Sequence, residues 1–333
     1  NLQQGSLLRA MLVDMADQTQ RLLLVAHHLV IDGVSWRILI EDLEIAYQQA
    51  KNHETINLPE VTTGYSVWTQ RLQQYSDSYA VEFAYWQNQV NVPVSLPCDF
   101  PEGSNSISNH TRITARLDQT QTQALLKDAP AAYRTQVNDL LLAALGSVLC
   151  QWSGHQKILV DLEGHGREDL YLDIDLSRTI GWFTALFPVI LDSSGDLPQR
   201  IKRIKESLRQ MPNKGLGYGL FKYYGTAAQR QIIRGLPKAQ VVFNYLGQFD
   251  SSFEEQAPWM LADEAIGDLM DHDVIQQHDL SINSHIYNGE LCLEINYSKA
   301  RYAKTAIETF VESLLTELKA IIGHCRQGVR GVT

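Results

Sequence analysis

The chain has 333 residues, 44% hydrophobic and 20% charged, with 28 Lys and Arg against 38 Asp and Glu for a formal net charge of −10. This is ordinary globular composition, not that of a disordered or fibrous chain. The acidic balance argues against nucleic acid or an anionic membrane as the main partner, since both reward clustered positive charge.

The length suffices for two lobes, each with its own core. No run of 18 or more apolar residues is present, so no helical bilayer span is expected. The opening stretch "NLQQGSLLRAMLVDM" lacks a signal-peptide pattern and reads as the interior of a domain, so the chain is expected to be part of a larger polypeptide. Cys98, Cys150, Cys292 and Cys325 are far apart, with no CxxC pair. Free thiols and a cytoplasmic location are the simplest expectation.

Residues 21 to 26, "RLLLVA", predict a short strand buried on both faces. From Ser35 onward Trp36, Leu39, Ile40, Leu43, Ala46 and Tyr47 recur at helical spacing. His27, His28, Asp32 and Gly33 therefore fall in a strand-to-helix turn, where a polar group can sit at the mouth of a crevice near a helix N-terminus. Residues 68 to 86 read as helical with aromatic anchors. The proline-rich stretch "VNVPVSLPCDFPEGSNSISNH" is the expected interlobe linker, leaving residues 1–100 and 101–333 as the two lobes. Beyond it, Val137 to Val148 predict a helix and "KILVDLE" a strand ending at Glu163. Asp196 to Met211 predict a helix with Pro198 in its first turn, and "AQVVFNYL" a strand. "LSINSHIYNGELCLEINYS" predicts a hairpin turning at Asn288-Gly289, and Ala303 to Ile322 a closing amphipathic helix. Strands mixed with helices give an α/β or α+β fold with two sheet-and-helix lobes.

Several residues have the chemistry for a site. Adjacent histidines at a strand end point to opposite sides, so one of His27 and His28 is expected to turn inward and the other to face the crevice. Asp32 is expected in a structural role, bonding backbone in the turn or pairing with a buried arginine. Glu163, followed by Gly164, His165, Gly166 and Arg167, is either a solvated loop carboxylate or a base facing a crevice, its basicity raised by burial. Asn244 and Tyr245 carry groups that need partners if buried. They either satisfy backbone or hold a substrate carbonyl or amide. "DHDVIQQHD" (271–279) is dense in His and Asp but fits no standard metal spacing. Gly217-Tyr218-Gly219 lacks the pattern of a phosphate loop. No GxSxG elbow occurs, and no cysteine has a recognisable nucleophile context.

In order, these segments resemble the epimerization domain of nonribosomal peptide synthetases, a relative of the condensation domains. "HHLVIDGVSWRIL" resembles the HHxxxDG motif, with Val34-Ser35-Trp36 in the epimerization style. "EGHGRE" (163–168), "RTIGWFTALFP" (178–188), "GLGYG" (215–219) and "FNYLGQFD" (243–250) resemble the remaining signatures in their usual order. The resemblance covers nearly the whole chain, but the family carries roughly a hundred further residues before the histidine motif, so the N-terminal lobe is expected to be incomplete. It implies a chloramphenicol-acetyltransferase-like pair of lobes in a V, with a tunnel between them. A peptidyl carrier protein domain is the implied partner, within a polypeptide of neighbouring synthetase modules, delivering an aminoacyl or peptidyl thioester on its phosphopantetheine arm. The implied reaction is reversible inversion at Cα. His28 and Glu163 would be the acid/base groups, with Asn244 and Tyr245 as oxyanion donors and Tyr218 lining the pocket. No intrinsic cofactor or metal is implied. A condensation domain would use the same second histidine, but the Glu163 motif and "FNYLGQF" are not expected there. An inactive carrier-binding module is the other alternative, and its usual sign would be loss of His28, which is intact.

Overall fold

The computed structural model describes residues 2–75, 80–88, 92–248, 259–260, 262, 264 and 266–327. The chain divides into two compact units, each discontinuous in sequence. The first comprises 1–74, 165–184 and 251–267; the second comprises 75–164, 185–250 and 268–333.

In the first unit, strands β1 (Leu8–Asp14) and β2 (Gln20–Ala26) form an antiparallel two-stranded ribbon. The strand expected at "RLLLVA" exists but is not buried on both faces, since Leu22 is 46% and Val25 54% exposed. Among the described residues β2 pairs with β1 alone, and its side chains are half-buried or exposed. A one-turn 3-10 helix, His28–Val30, follows. The helix Gly33–Lys51 then begins behind Asp32, whose carboxylate accepts from the Ser35 N–H as an N-cap. The helix Tyr65–Gln73 buries Trp68.

The second unit is built on a mixed six-stranded sheet. Its strands are β3 (His110–Leu117), β4 (Lys157–Gly164), β5 (Ala185–Asp192), β6 (Val241–Gln248), β7 (Leu280–Tyr287) and β8 (Glu290–Ser298), in the spatial order β3-β8-β7-β6-β4-β5. β6 runs parallel to both β4 and β7, and every other pairing is antiparallel. The β7–β8 turn is the expected one. Asn288 (φ 50°) and Gly289 (φ 71°) both take the left-handed conformation that a tight hairpin requires.

Period-two alternation gives this sheet an apolar and a polar face. Ile158, Val160 and Leu162 of β4 share the first with Val189 and Leu191 of β5, Phe243 of β6 and Ile295 of β8, all buried. The helix Val137–Ser153 packs against both Leu197–Gln210 and Lys304–Arg326, and all three contact the sheet, as does Leu216–Tyr223 at β5. Twelve consecutive residues of the first, Asp139 to Cys150, are buried. Asp161 and Glu163 point to the opposite face.

Between residues 92 and 109 the proline-rich stretch contains no strand or long helix, and it is tied into the second unit. The Leu159 N–H donates to Pro93 O at 3.1 Å, and the Phe100 N–H to Arg301 O at 2.9 Å. Among the described residues, Trp68 lies on the helix Tyr65–Gln73 and Trp86 on the helix Phe83–Gln87, which are assigned to different units.

Candidate active site

In the first unit, the turn carrying the histidines is organised by Asp32, which is 4% exposed. Asp32 Oδ1 accepts from the Ser35 N–H at 2.7 Å and from Arg167 Nη2 at 3.2 Å, while Oδ2 accepts from the Phe183 N–H at 3.0 Å. It thus both bonds backbone and pairs with a buried arginine. Arg167 also donates to Ser35 Oγ at 2.9 Å and to the carbonyls of Leu176 and Thr179 at 2.8 and 2.7 Å. Its guanidinium lies 3.9 Å from the centroid of the Phe183 ring. Burial pulls the Arg167 pKa below its ordinary value, opposed by the Asp32 charge.

His27 and His28 depart from expectation, because both side chains are exposed and neither turns inward. They lie beyond β2, which ends at Ala26, so strand alternation no longer governs them. His27 caps the 3-10 turn, its Nδ1 accepting from the Leu29 N–H at 3.1 Å. The His28 ring stands 5.0 Å from the Trp182 ring at an interplanar angle of 49°.

In the second unit, Glu163 lies one residue before the end of β4 and its carboxylate is exposed. Asn244 Nδ2 donates to Glu163 Oε2 at 2.7 Å across the parallel β4–β6 pair. The two belong to separate sequence motifs, and the sheet brings them together. Asp161, two residues before Glu163 and on the same face, meets His278 Nε2 at 2.8 Å. His278 is thus a hydrogen-bonding partner of the Asp161 carboxylate. Among the described residues no group of three or more His, Cys, Asp or Glu is placed to hold a metal. Tyr245 follows Asn244 on β6 and pairs in register with Ser284, so the strand period directs it to the opposite face. Burial raises its phenol pKa. Phe249 and Asp250, the end of the "FNYLGQFD" segment, lie outside the described residues.

Tyr218 packs its ring on Trp86 with centroids 5.3 Å apart. Burial, with the Asp161 charge adding to it, pushes its phenol up to about 12. The flanking glycines have physical causes. Gly215 has φ 88°, and a Cβ there would fall 2.3 Å from the Phe187 ring. A Cβ on Gly217 would fall 2.0 Å from Glu82 Oε1. Glu82 is a buried carboxylate accepting from Trp86 Nε1 at 2.9 Å, from Asn213 Nδ2 at 3.0 Å and from the Tyr75 hydroxyl. Gly217→Ala should therefore displace a satisfied buried charge and cost about 1–3 kcal/mol. The check is a urea unfolding midpoint, and an unchanged midpoint would mean that the carboxylate relocates freely.

Sequence reasoning missed Arg167 as the anchor of Asp32, the Asp161–His278 pair and the Glu82 cluster. Asp161 had a usable signal, since it lies two residues from Glu163 on a predicted strand. Glu82 had none, because its partners Tyr75 and Asn213 are 138 residues apart in the chain.

The condensation-domain family profile matches residues 1–333. The chain belongs to the condensation-domain family. It is 37% identical over 332 residues to tyrocidine synthase 2 of Brevibacillus parabrevis, covering 98% of this chain but 9% of that protein. It is 37% identical to gramicidin S synthase 1 of Brevibacillus brevis, covering 98% of this chain and 31% of that protein. The chain thus spans less than a third of the length of these relatives. The crystal structure of the epimerization domain from the third module of tyrocidine synthetase B superposes with a TM-score of 0.89 at 35% identity, covering 97% of this chain and 73% of that one. The X-domain from teicoplanin biosynthesis shares the fold, with a TM-score of 0.70 at 17% identity, covering 95% of this chain and 72% of that one. The mixed α/β architecture expected from sequence is that of this family.

Proposed function

We propose that this chain is an epimerization domain, inverting the Cα of an aminoacyl or peptidyl thioester presented on the phosphopantetheine arm of a carrier protein. The observation carrying the reading is the Glu163–Asn244 pair on the polar face of the sheet, built from two motifs of the epimerization resemblance. The likeness to an epimerization domain at 35% identity and TM-score 0.89, against 17% and 0.70 for an X-domain, supports it.

The chemistry needs no redox partner. A thioester carbonyl acidifies the adjacent Cα–H, because the electron pair left when the bond breaks spreads onto oxygen as an enolate. A base takes the proton from one face, and an acid returns a proton to the other. Glu163 and His28 are assigned these roles. Asn244, bonded to Glu163, orients the carboxylate. Asn244 and Tyr218 are assigned to the substrate oxygen, where fixed donors are worth most as charge develops. Tyr245, directed to the other face of β6, is given no contact with substrate. A single base at Glu163 with His28 stabilising the enolate satisfies the same proton balance.

The test supplies the natural polypeptide carrying this chain with an L-loaded carrier in deuterated water. Deuterium at Cα and both enantiomers in the released product are expected. Retained L configuration without deuterium, on a properly loaded carrier, would rule the reading out and leave condensation as the family activity to test.

A further inference from the structure

The imidazole of His28 sits on a 3-10 turn at the surface of the first unit, and among the described residues it takes part in no hydrogen bond or ion pair. An exposed histidine side chain held by nothing samples several rotamers, which is incompatible with transferring protons at a fixed carbon. Its one ring contact among the described residues is Trp182, 5.0 Å away, within the spacing at which aromatic pairs attract.

Trp182 is itself held tightly through its backbone. Ser35 Oγ donates to Gly181 O at 2.9 Å and accepts from the Gly181 N–H at 3.1 Å. The Tyr65 hydroxyl donates to Trp182 O at 2.7 Å, and the Phe183 N–H donates to Asp32 at 3.0 Å. Gly181 is bare where a Cβ would lie 2.4 Å from the Tyr65 ring, which is how that tyrosine comes close enough to bond. Phe183 turns inward, 5% exposed, beneath Arg167 and edge-on to Tyr65. Trp182 is left 41% exposed with its indole against His28. Asp32 and Ser35, a few residues after His28, thus fasten the segment that returns to brace His28.

We infer that Trp182 is the positioning residue of His28, its indole restricting the imidazole to one orientation for proton transfer. The inference rests on the proposed epimerization, and its test has a readout independent of turnover. In the 333-residue chain labelled with carbon-13 at histidine, the His28 ring resonance is identified by its loss in His28→Gln. It should carry a ring-current displacement that disappears in Trp182→Leu, while the His27 resonance stays in place. In the natural polypeptide with the same substitution, kcat for Cα inversion should fall about tenfold with KM changed by less than about twofold, as expected for a misoriented acid/base group. Trp182→Phe, which keeps a ring at that position, should recover most of the rate.

A His28 resonance indifferent to Trp182→Leu would overturn the inference. So would a resonance that moves while kcat stays unchanged. Failure of the epimerization reading would look different, with the resonance responding to Trp182→Leu while the unsubstituted polypeptide inverts nothing.

Discussion

Replacing Glu163 with Gln is expected to lower Cα inversion at least about a hundredfold, the usual scale for removing a general base. Binding of the carrier protein should be nearly unaffected. The substitution is informative because it changes so little else. Glutamine is isosteric with glutamate, and its carbonyl can still accept the hydrogen bond that Asn244 Nδ2 gives to Glu163 Oε2. The polar face of β4 and β6 should therefore keep its arrangement, and the loss reports the missing proton acceptor. Following deuterium uptake separately from L- and D-loaded carriers extracts more. If Glu163 and His28 each serve one face, Glu163→Gln should retain uptake, with retained configuration, from only the enantiomer whose hydrogen faces His28. If Glu163 serves both faces, uptake should vanish from both. Near-normal inversion would remove Glu163 from the mechanism altogether.

Where local chemistry settles structure, the sequence was legible. Asn288-Gly289 predicted the hairpin because few residues tolerate the left-handed conformation twice in succession, and both adopt it. Asp196 and Pro198 marked a helix start, and the helix Leu197–Gln210 begins there with Asp196 as its cap. Legibility failed where an outcome depended on what lay opposite in space. "RLLLVA" has the composition of a doubly buried strand, yet burial is set by layers that another part of the chain must supply. The histidine pair failed for a related reason, because alternation does not extend one residue beyond the end of β2.

The candidate site shows the same division between local and distant information. The motif residues were visible singly, and strand period alone would have placed Asp161 beside Glu163 and Tyr245 away from Asn244. The Glu163–Asn244 contact could not be read, since it requires knowing that β4 and β6 are parallel neighbours. Nor could the reason for Gly217, which is glycine because the distant Glu82 carboxylate occupies the space of its missing Cβ. Gly217 is thus an accommodation to Glu82, beside a Tyr218 whose ring meets Trp86 in an edge-type contact.

Asp32→Ala is expected to be the most destabilising single substitution in the histidine turn. It removes the helix cap at Ser35, the acceptor for the Phe183 N–H and the counter-charge of Arg167, whose side chain is 8% exposed. Truncating one partner of a buried ion pair typically costs about 3–5 kcal/mol, mostly because the surviving charge stays desolvated. Among the described residues Arg167 would keep only neutral acceptors, namely Ser35 Oγ and the carbonyls of Leu176 and Thr179. The loss should appear as faster amide hydrogen exchange at the start of the helix Gly33–Lys51 and across residues 176–183, a local readout suited to a chain of two units. Asp32→Asn should fall between, because asparagine still caps the helix but leaves the guanidinium without an opposing charge. Combining Asp32→Ala with Arg167→Met should restore part of the protection, since no unpaired charge then remains. If Asp32→Ala exchanged like the unsubstituted chain, the ion pair would not be what fixes this turn, and the brace on Trp182 would have to come from Ser35 and Tyr65 alone.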